Sequence, residues 1–153
     1  ALDYQSRTSV MLVKILVKNF WKIDVKFFDA DEDYIDGISK NNAGLVIGDR
    51  TFNLKDSFLY QYDLAEEWFK YTNLPFVFAC WVANKPLRDV FKQQFSDALK
   101  HGLDHKALVI DEYTKNQNTN IDLERYLSEY ISWNFDSQKE AALKKFFSLC
   151  RNL

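Results

Sequence analysis

Cysteine is scarce in this chain. Cys80 and Cys150 stand far apart, each in apolar surroundings, with no CxxC pair. Two reduced core thiols are the expected reading, with a disulfide or a metal site as the alternative. A basic surplus is also lacking: 20 Lys and Arg face 22 Asp and Glu, for a net charge of −2. Proteins that track polyanions usually carry excess positive charge, so no nucleic-acid partner is expected, although a local basic site remains open. No apolar run approaches the roughly 20 residues of a membrane span, so no membrane partner is expected either. No signal peptide is visible, and Ala1 need not be the native first residue. There is no P-loop, no GxGxxG, no GxSxG and no HExxH. Neither cysteine has a histidine nearby in sequence, which leaves a thiol nucleophile without support.

What is present is a globular composition. Of 153 residues, 47% are hydrophobic, 27% charged and 16% aromatic, including 13 Phe and 8 Tyr. That is about one ordinary domain with enough apolar material for a core.

The pattern along the chain is mixed at first and then helical. A helix is predicted over residues 8–19, its apolar surface interrupted only by Lys14 and Lys18, four apart on one stripe. "VKFF" at 25–28 reads as a short strand, and the acidic stretch after it as a loop or exposed helix. "AGLVIGDR" at 43–50 holds Leu45, Val46 and Ile47 between glycines, the pattern of a buried parallel strand. "FLYQYDL" is a further strand candidate. "DLAEEWFKYTN" reads as a helix with Asp63 as N-cap and Glu66 at capping-box spacing. "LPFVFACWVANK" carries the strongest strand signal, opened by Pro75.

Helices follow. The first has Pro86 near its start, Gly102 just past its end, and Leu87, Val90, Phe91, Phe95, Ala98 and Leu99 on its apolar face. The second covers 105–115 after Asp104, and "TKNQNTN" follows as a polar loop. Leu123, Tyr126, Leu127, Tyr130 and Ile131 then recur at helical spacing. Ser137 and Glu140 form a capping box for the last helix, which carries Leu143, Phe146, Phe147 and Cys150 on one face. The fold class expected is α/β. The second half has too few strands for a sheet of its own.

Two segments carry binding chemistry. Ser6, Arg7, Thr8 and Ser9 stand at the mouth of the first helix. A helix N-terminus offers unpaired N–H groups and the positive end of the dipole, hydroxyls add donors, and arginine grips a carboxylate with two parallel bonds. Plain capping explains the same Ser and Thr without a ligand. Gly48, Asp49 and Arg50 follow the expected buried strand, where α/β sheets place ligands. Gly48 permits close backbone approach, and Asp49 is suited to orient substrate or water. A turn with an Asp–Arg surface pair is the competing account. His101 and His105 have metal-like spacing, but no third ligand completes a set, so no metal is expected. Trp68 and Trp81 are read as core residues rather than pocket walls.

Three stretches, "LDYQSRTSVMLVKIL", "NNAGLVIGDRTF" and "YDLAEEWFKYTNLPFVFACWV", resemble in this order the chorismate dehydratases of the futalosine route to menaquinone. The end, "YLSEYISWNFDSQKEAALKKFFSLC", resembles that family's C-terminus, so the likeness covers essentially the whole chain. It implies a type II periplasmic-binding-protein-like, two-lobed fold in a cytoplasmic enzyme. It implies loss of water from chorismate, a small dicarboxylate, to give 3-[(1-carboxyvinyl)oxy]benzoate with no cofactor. Aromatisation supplies much of the driving force, leaving the enzyme to orient the ring and assist departure of a proton and the hydroxyl.

Two departures from the family accompany the likeness. A family N-terminal segment, including an Asn-containing motif, has no counterpart here, so one lobe is expected to be incomplete. On that expectation residues 1–74 form the second lobe, and residues 75–153 the hinge strand and C-terminal helical part of the first. Self-association through an open sheet edge would follow. Related dihydroxynaphthoate synthases place a histidine, their presumed base, where Gly48 stands, which leaves the base here unassigned. A non-catalytic solute-binding or effector-sensing module of the same fold is the competing class. A secretion signal or DNA-binding domain on the full gene product would favour it.

Overall fold

The computed structural model describes residues 1–3, 5–54, 57–116 and 122–153. Most of the polar loop expected at 114–120 lies outside the described residues, as does Tyr4 of the first quoted stretch. The chain groups into two units, Ala1–Ala79 with Phe135–Leu153, and Cys80–Asn134. The lobe boundaries expected from the family stay a proposal.

In the first unit three helices share a core. Helix α1 (Arg7–Ile15) passes directly into a π-helical stretch, Leu16–Trp21, which ends at Lys22 in left-handed conformation. The helix therefore starts one residue earlier and runs two further than the pattern predicts. Helix α2 spans Leu64–Thr72. Leu12, Ile15 and Leu16 recur at helical spacing and are fully buried with Trp68 of α2. Burial of each such side chain contributes about 1.5–3 kcal/mol. The indole edge of Trp68 is satisfied as well, donating to the Pro75 carbonyl at 3.2 Å. That bond folds the chain leaving α2 back onto its own helix. Phe76 and Phe146 meet Trp68 edge-on at 5.5 and 6.1 Å.

Asp63 caps α2 as its spacing predicts, its Oδ1 accepting from the amides of Ala65 and Glu66 at 2.8 and 2.9 Å. Glu67 is buried and clamps two elements. Its carboxylate accepts from the Trp21 indole and from Lys70, both at 2.8 Å.

No strand is assigned among the described residues, against the four expected. The apolar runs at 25–28 and 78–82 are exposed: Phe28 is 49% accessible, Trp81 77% and Val82 87%. A strand is a paired object, and β propensity without a ladder of neighbours does not make one. The backbone nonetheless holds a three-way parallel register. Leu2 N–H donates to Phe28 O and Ala30 N–H to Leu2 O, both at 2.9 Å, giving an isolated parallel bridge between Leu2 and Asp29. On the other side Leu45 N–H donates to Ala1 O at 3.0 Å. Helix α1 connects the first pair of parallel segments, as parallel pairing requires.

The second unit holds α3 (Asp89–Asp104), α4 (Lys106–Asn116) and α5 (Leu123–Arg125), the last continuing as a π-helical turn, Tyr126–Tyr130. None of its described hydrophobic residues is buried. Gly102 lies inside α3, not beyond it, because the helix continues past it to Asp104. The apolar face predicted for α3 is present, but Val90 is 69% exposed. Trp81, expected in a core, packs edge-on against Phe95 at 5.3 Å and otherwise meets solvent.

Helix α6 (Ser137–Cys150) returns to the first unit, where Phe146 joins the core. Its N-cap is Asp136 rather than Ser137, the carboxylate accepting from Lys139 N–H at 2.9 Å. Both residue types cap helices, and local sequence does not rank two adjacent candidates. Cys80 is exposed, contrary to the core placement expected, since the run that carries it is unpaired. Cys150 is partly buried, and burial pushes its thiol pKa up.

Candidate functional site

Ser6 is the N-cap of α1 in extended conformation. Its Oγ accepts from Ser9 N–H at 3.1 Å and donates to Ser9 Oγ at 2.9 Å, while Val10 N–H reaches Ser6 O at 3.2 Å. Capping therefore occupies the third and fourth amides of the helix. The first two, those of Arg7 and Thr8, have no acceptor among the described residues. Arg7 is exposed, Thr8 half-buried and Ser9 buried. Ser6 therefore leaves the amides of Arg7 and Thr8 outside its own bonds.

Gly48 opens a 3-10 helix, Gly48–Leu54, with φ of +68°. That conformation selects glycine. A Cβ built there meets nothing within 4 Å, so no neighbour in the chain demands the missing side chain. The close approach expected from sequence is not to another part of this chain. Asp49 is exposed, and its side chain forms no hydrogen bond to a described residue. Its expected Asp–Arg surface pair is absent as well, because Arg50 turns to a different acid.

That acid is Asp3, whose side chain is fully buried. The Arg50 Nη2 forms a short ion pair with Asp3 Oδ2 and donates to Gln5 Oε1 at 3.3 Å. The other Asp3 oxygen accepts from Gln5 N–H at 2.8 Å. The Tyr34 hydroxyl lies 2.9 Å from Asp3 Oδ2 and 2.6 Å from Leu45 O, sharing its proton between the two acceptors. Asp3, Gln5, Tyr34 and Arg50 therefore form one network. It brings the Gly48–Leu54 turn against the segment that leads into Ser6 and Arg7. Of the six predicted site residues, the network gathers the two motifs at their edges but contains none of them. No local signal marks Asp3, because its partner lies 47 positions away.

A concavity of about 230 Å³ opens elsewhere in this unit, lined by Phe28, Asp31, Asp33, Tyr34, Ile38 and Asn42 among others. None of the six candidate residues lines it. Among the described residues no group of three His, Cys, Asp or Glu side chains is placed to hold a metal. His105 Nδ1 lies 2.8 Å from the His101 carbonyl, a local contact at the end of α3. No helix among the described residues is long and apolar enough to cross a membrane.

The family model for menaquinone biosynthesis matches residues 1–152. The chain belongs to that family. Among curated proteins it is similar to a chorismate dehydratase of Campylobacter jejuni, with 31% identity over 121 residues. The match covers 76% of this chain and 52% of the relative, so the chain spans about half the length of that curated protein. No solved structure matches the chain. Membership of the menaquinone-biosynthesis family agrees with the resemblance carried by the Ser6–Ser9 and Gly48–Arg50 motifs.

Proposed function

We propose that this chain forms the carboxylate-holding part of a chorismate dehydratase, acting in the cytoplasm on the futalosine route to menaquinone. The reaction is a hydro-lyase step. A ring proton and the ring hydroxyl of chorismate depart together as water, and the aromatic product is 3-[(1-carboxyvinyl)oxy]benzoate. One observation carries the reading: Arg50 ties the Gly48 turn to Asp3 and to Gln5, which stands two positions before the first of the two α1 amides that capping leaves without an acceptor. One substrate carboxylate sits on the amides and side chains of Arg7 and Thr8, where dipole, N–H groups and guanidinium act together. Asp49, at the open Gly48 turn, orients substrate or a water. Family membership and the Campylobacter relative support the choice of substrate. The periplasmic-binding-protein-like, two-lobed fold belongs to the same proposal, with the parallel register around Leu2 as its nucleus.

The test uses the chain co-expressed with the part of the Campylobacter protein that the match leaves uncovered. Chorismate consumption and the aromatic absorbance of the product are followed together. Turnover is expected, with Arg7→Ala lowering kcat/KM about tenfold or more through loss of a charge-assisted bond. Absence of product, or unchanged kinetics in a folded Arg7→Ala protein, overturns the proposal.

A further inference from the structure

We infer that Arg50 is a second carboxylate-binding group, held in position by the buried Asp3, and that the pair makes the site select dicarboxylates. The inference rests on the proposed function above and adds a residue and a selectivity to it.

Three observations carry it. The bonds Arg50 makes to other described residues all leave from Nη2, to Asp3 and Gln5. Its Nε and Nη1 groups have no acceptor among the described residues, and a third of the side chain is accessible. A guanidinium carries five N–H donors in a rigid fork, so an arginine anchored through one nitrogen still presents donors on its others. Second, the anchor is firm. The Asp3 carboxylate is fully buried and receives Arg50, the Gln5 amide and the Tyr34 hydroxyl. Holding the guanidinium in advance removes much of the ordering cost that a free arginine meets on binding. Third, Gln5, which Arg50 touches, stands two positions before Arg7, whose amide opens α1. The bond to Gln5 therefore places the Arg50 guanidinium against the residue two positions before the amide that opens α1. A ligand with two separated carboxylates engages both Arg50 and the helix mouth, and a monocarboxylate engages one. Asp3 touches no ligand in this arrangement and acts as a positioning residue.

The experiment measures binding of chorismate and of benzoate, a monocarboxylate, to the chain by calorimetry, and by amide shifts of Arg7 and Thr8. Arg50→Lys, which keeps the charge but loses the fork, is expected to weaken chorismate about tenfold while leaving benzoate unchanged. Arg7→Ala should weaken both. Should Arg50→Lys not fold, the double variant Asp3→Asn, Arg50→Gln keeps a polar pair without stranding a buried charge. It should give the same selective loss. A merely structural role moves both ligands together, so an equal loss overturns the inference, as does no loss at all. Failure of the wild-type chain to bind chorismate also overturns it, and the turnover assay then judges the dehydratase reading separately. If Arg7→Ala leaves both ligands unchanged, the helix-mouth site fails and the two-point selectivity inferred here fails with it.

Discussion

Arg50 and Asp3 are joined across 47 positions of sequence by an ion pair with one end fully buried and the other a third accessible. A charge so placed is costly to strand. Asp3→Ala removes the ion-pair partner of Arg50, which among the described residues keeps only the Gln5 Oε1 contact, while the Tyr34 hydroxyl keeps Leu45 O. Breaking a fully buried pair costs about 3–5 kcal/mol, and the partial exposure of Arg50 reduces that to roughly 2–3 kcal/mol. Urea unfolding of the variant measures it. A change below about 0.5 kcal/mol, the range of an ordinary surface substitution, would remove the network's claim to hold the turn.

Ser6 separates capping from binding. Ser6→Ala should cost about 1 kcal/mol through the lost bond to the Ser9 amide. Ser6→Asp should restore stability, because aspartate caps as well and suits the dipole. It should also repel an incoming carboxylate. Unfolding curves and chorismate titrations on the two variants check this. A Ser6→Asp protein that binds chorismate as well as the wild type would contradict a carboxylate site there.

Gly48→Ala should destabilise by about 1–2 kcal/mol, the cost of placing a Cβ in left-handed conformation. Because the space around the position is open, the cost is conformational and not steric. Gly48→Asn should therefore lose less than Gly48→Ala in thermal melts, since asparagine tolerates that region. The reverse order would mean that the turn relaxes to a different backbone.

Glu67 gives the first unit a pH dependence. The hydrogen bonds from Lys70, and next from the Trp21 indole, lower its pKa below the ordinary carboxylate value. A group with a depressed folded pKa contributes fully above its unfolded value, near 4.3, and that contribution fades as pH falls through the folded value. Wild type should thus lose stability on acidification more steeply than Glu67→Gln. Unfolding monitored by tryptophan fluorescence between pH 6 and 3 compares them, and parallel curves would refute the assignment.

Trp68→Ala should cost about 3–5 kcal/mol, because a fully buried ring is removed from contact with Phe76 and Phe146. The same change at Trp81, which is 77% exposed, should cost under about 1 kcal/mol. Chemical denaturation of the two variants measures the contrast, and similar losses would mean that Trp81 is covered in solution.

The helices were legible because each is a local object. Leu12, Ile15 and Leu16 announce a buried face at helical spacing, and Asp63 announces a cap three residues before Glu66. The strands were not, because the same bulky residues that favour pairing at 25–28 and 78–82 remain unpaired when no neighbour supplies bonds. Trp81 and Cys80 were misplaced for that one reason. In the candidate site the Ser and Thr residues point to a helix start, but the pattern sets that start at residue 8 and does not single out Ser6 as the cap. The buried Asp3 was not legible, since its burial is set by Arg50 and Tyr34, which the fold delivers from distant positions.

The register around Leu2 has a consequence for how a sheet could grow. The backbone of Leu2 is bonded to the segment at 28–30 on one side, and the carbonyl of Ala1 to Leu45 on the other. The first segment is thus interior, with both flanks occupied. Further strands can add only outside the flanking segments, beyond 25–29 or beyond 43–47, where a newcomer leaves the bonds of Leu2 undisturbed. Growth beyond 25–29 therefore leaves the Asp3 network untouched, whereas the flank at 43–47 is tied to that network, since Leu45 O accepts from the Tyr34 hydroxyl.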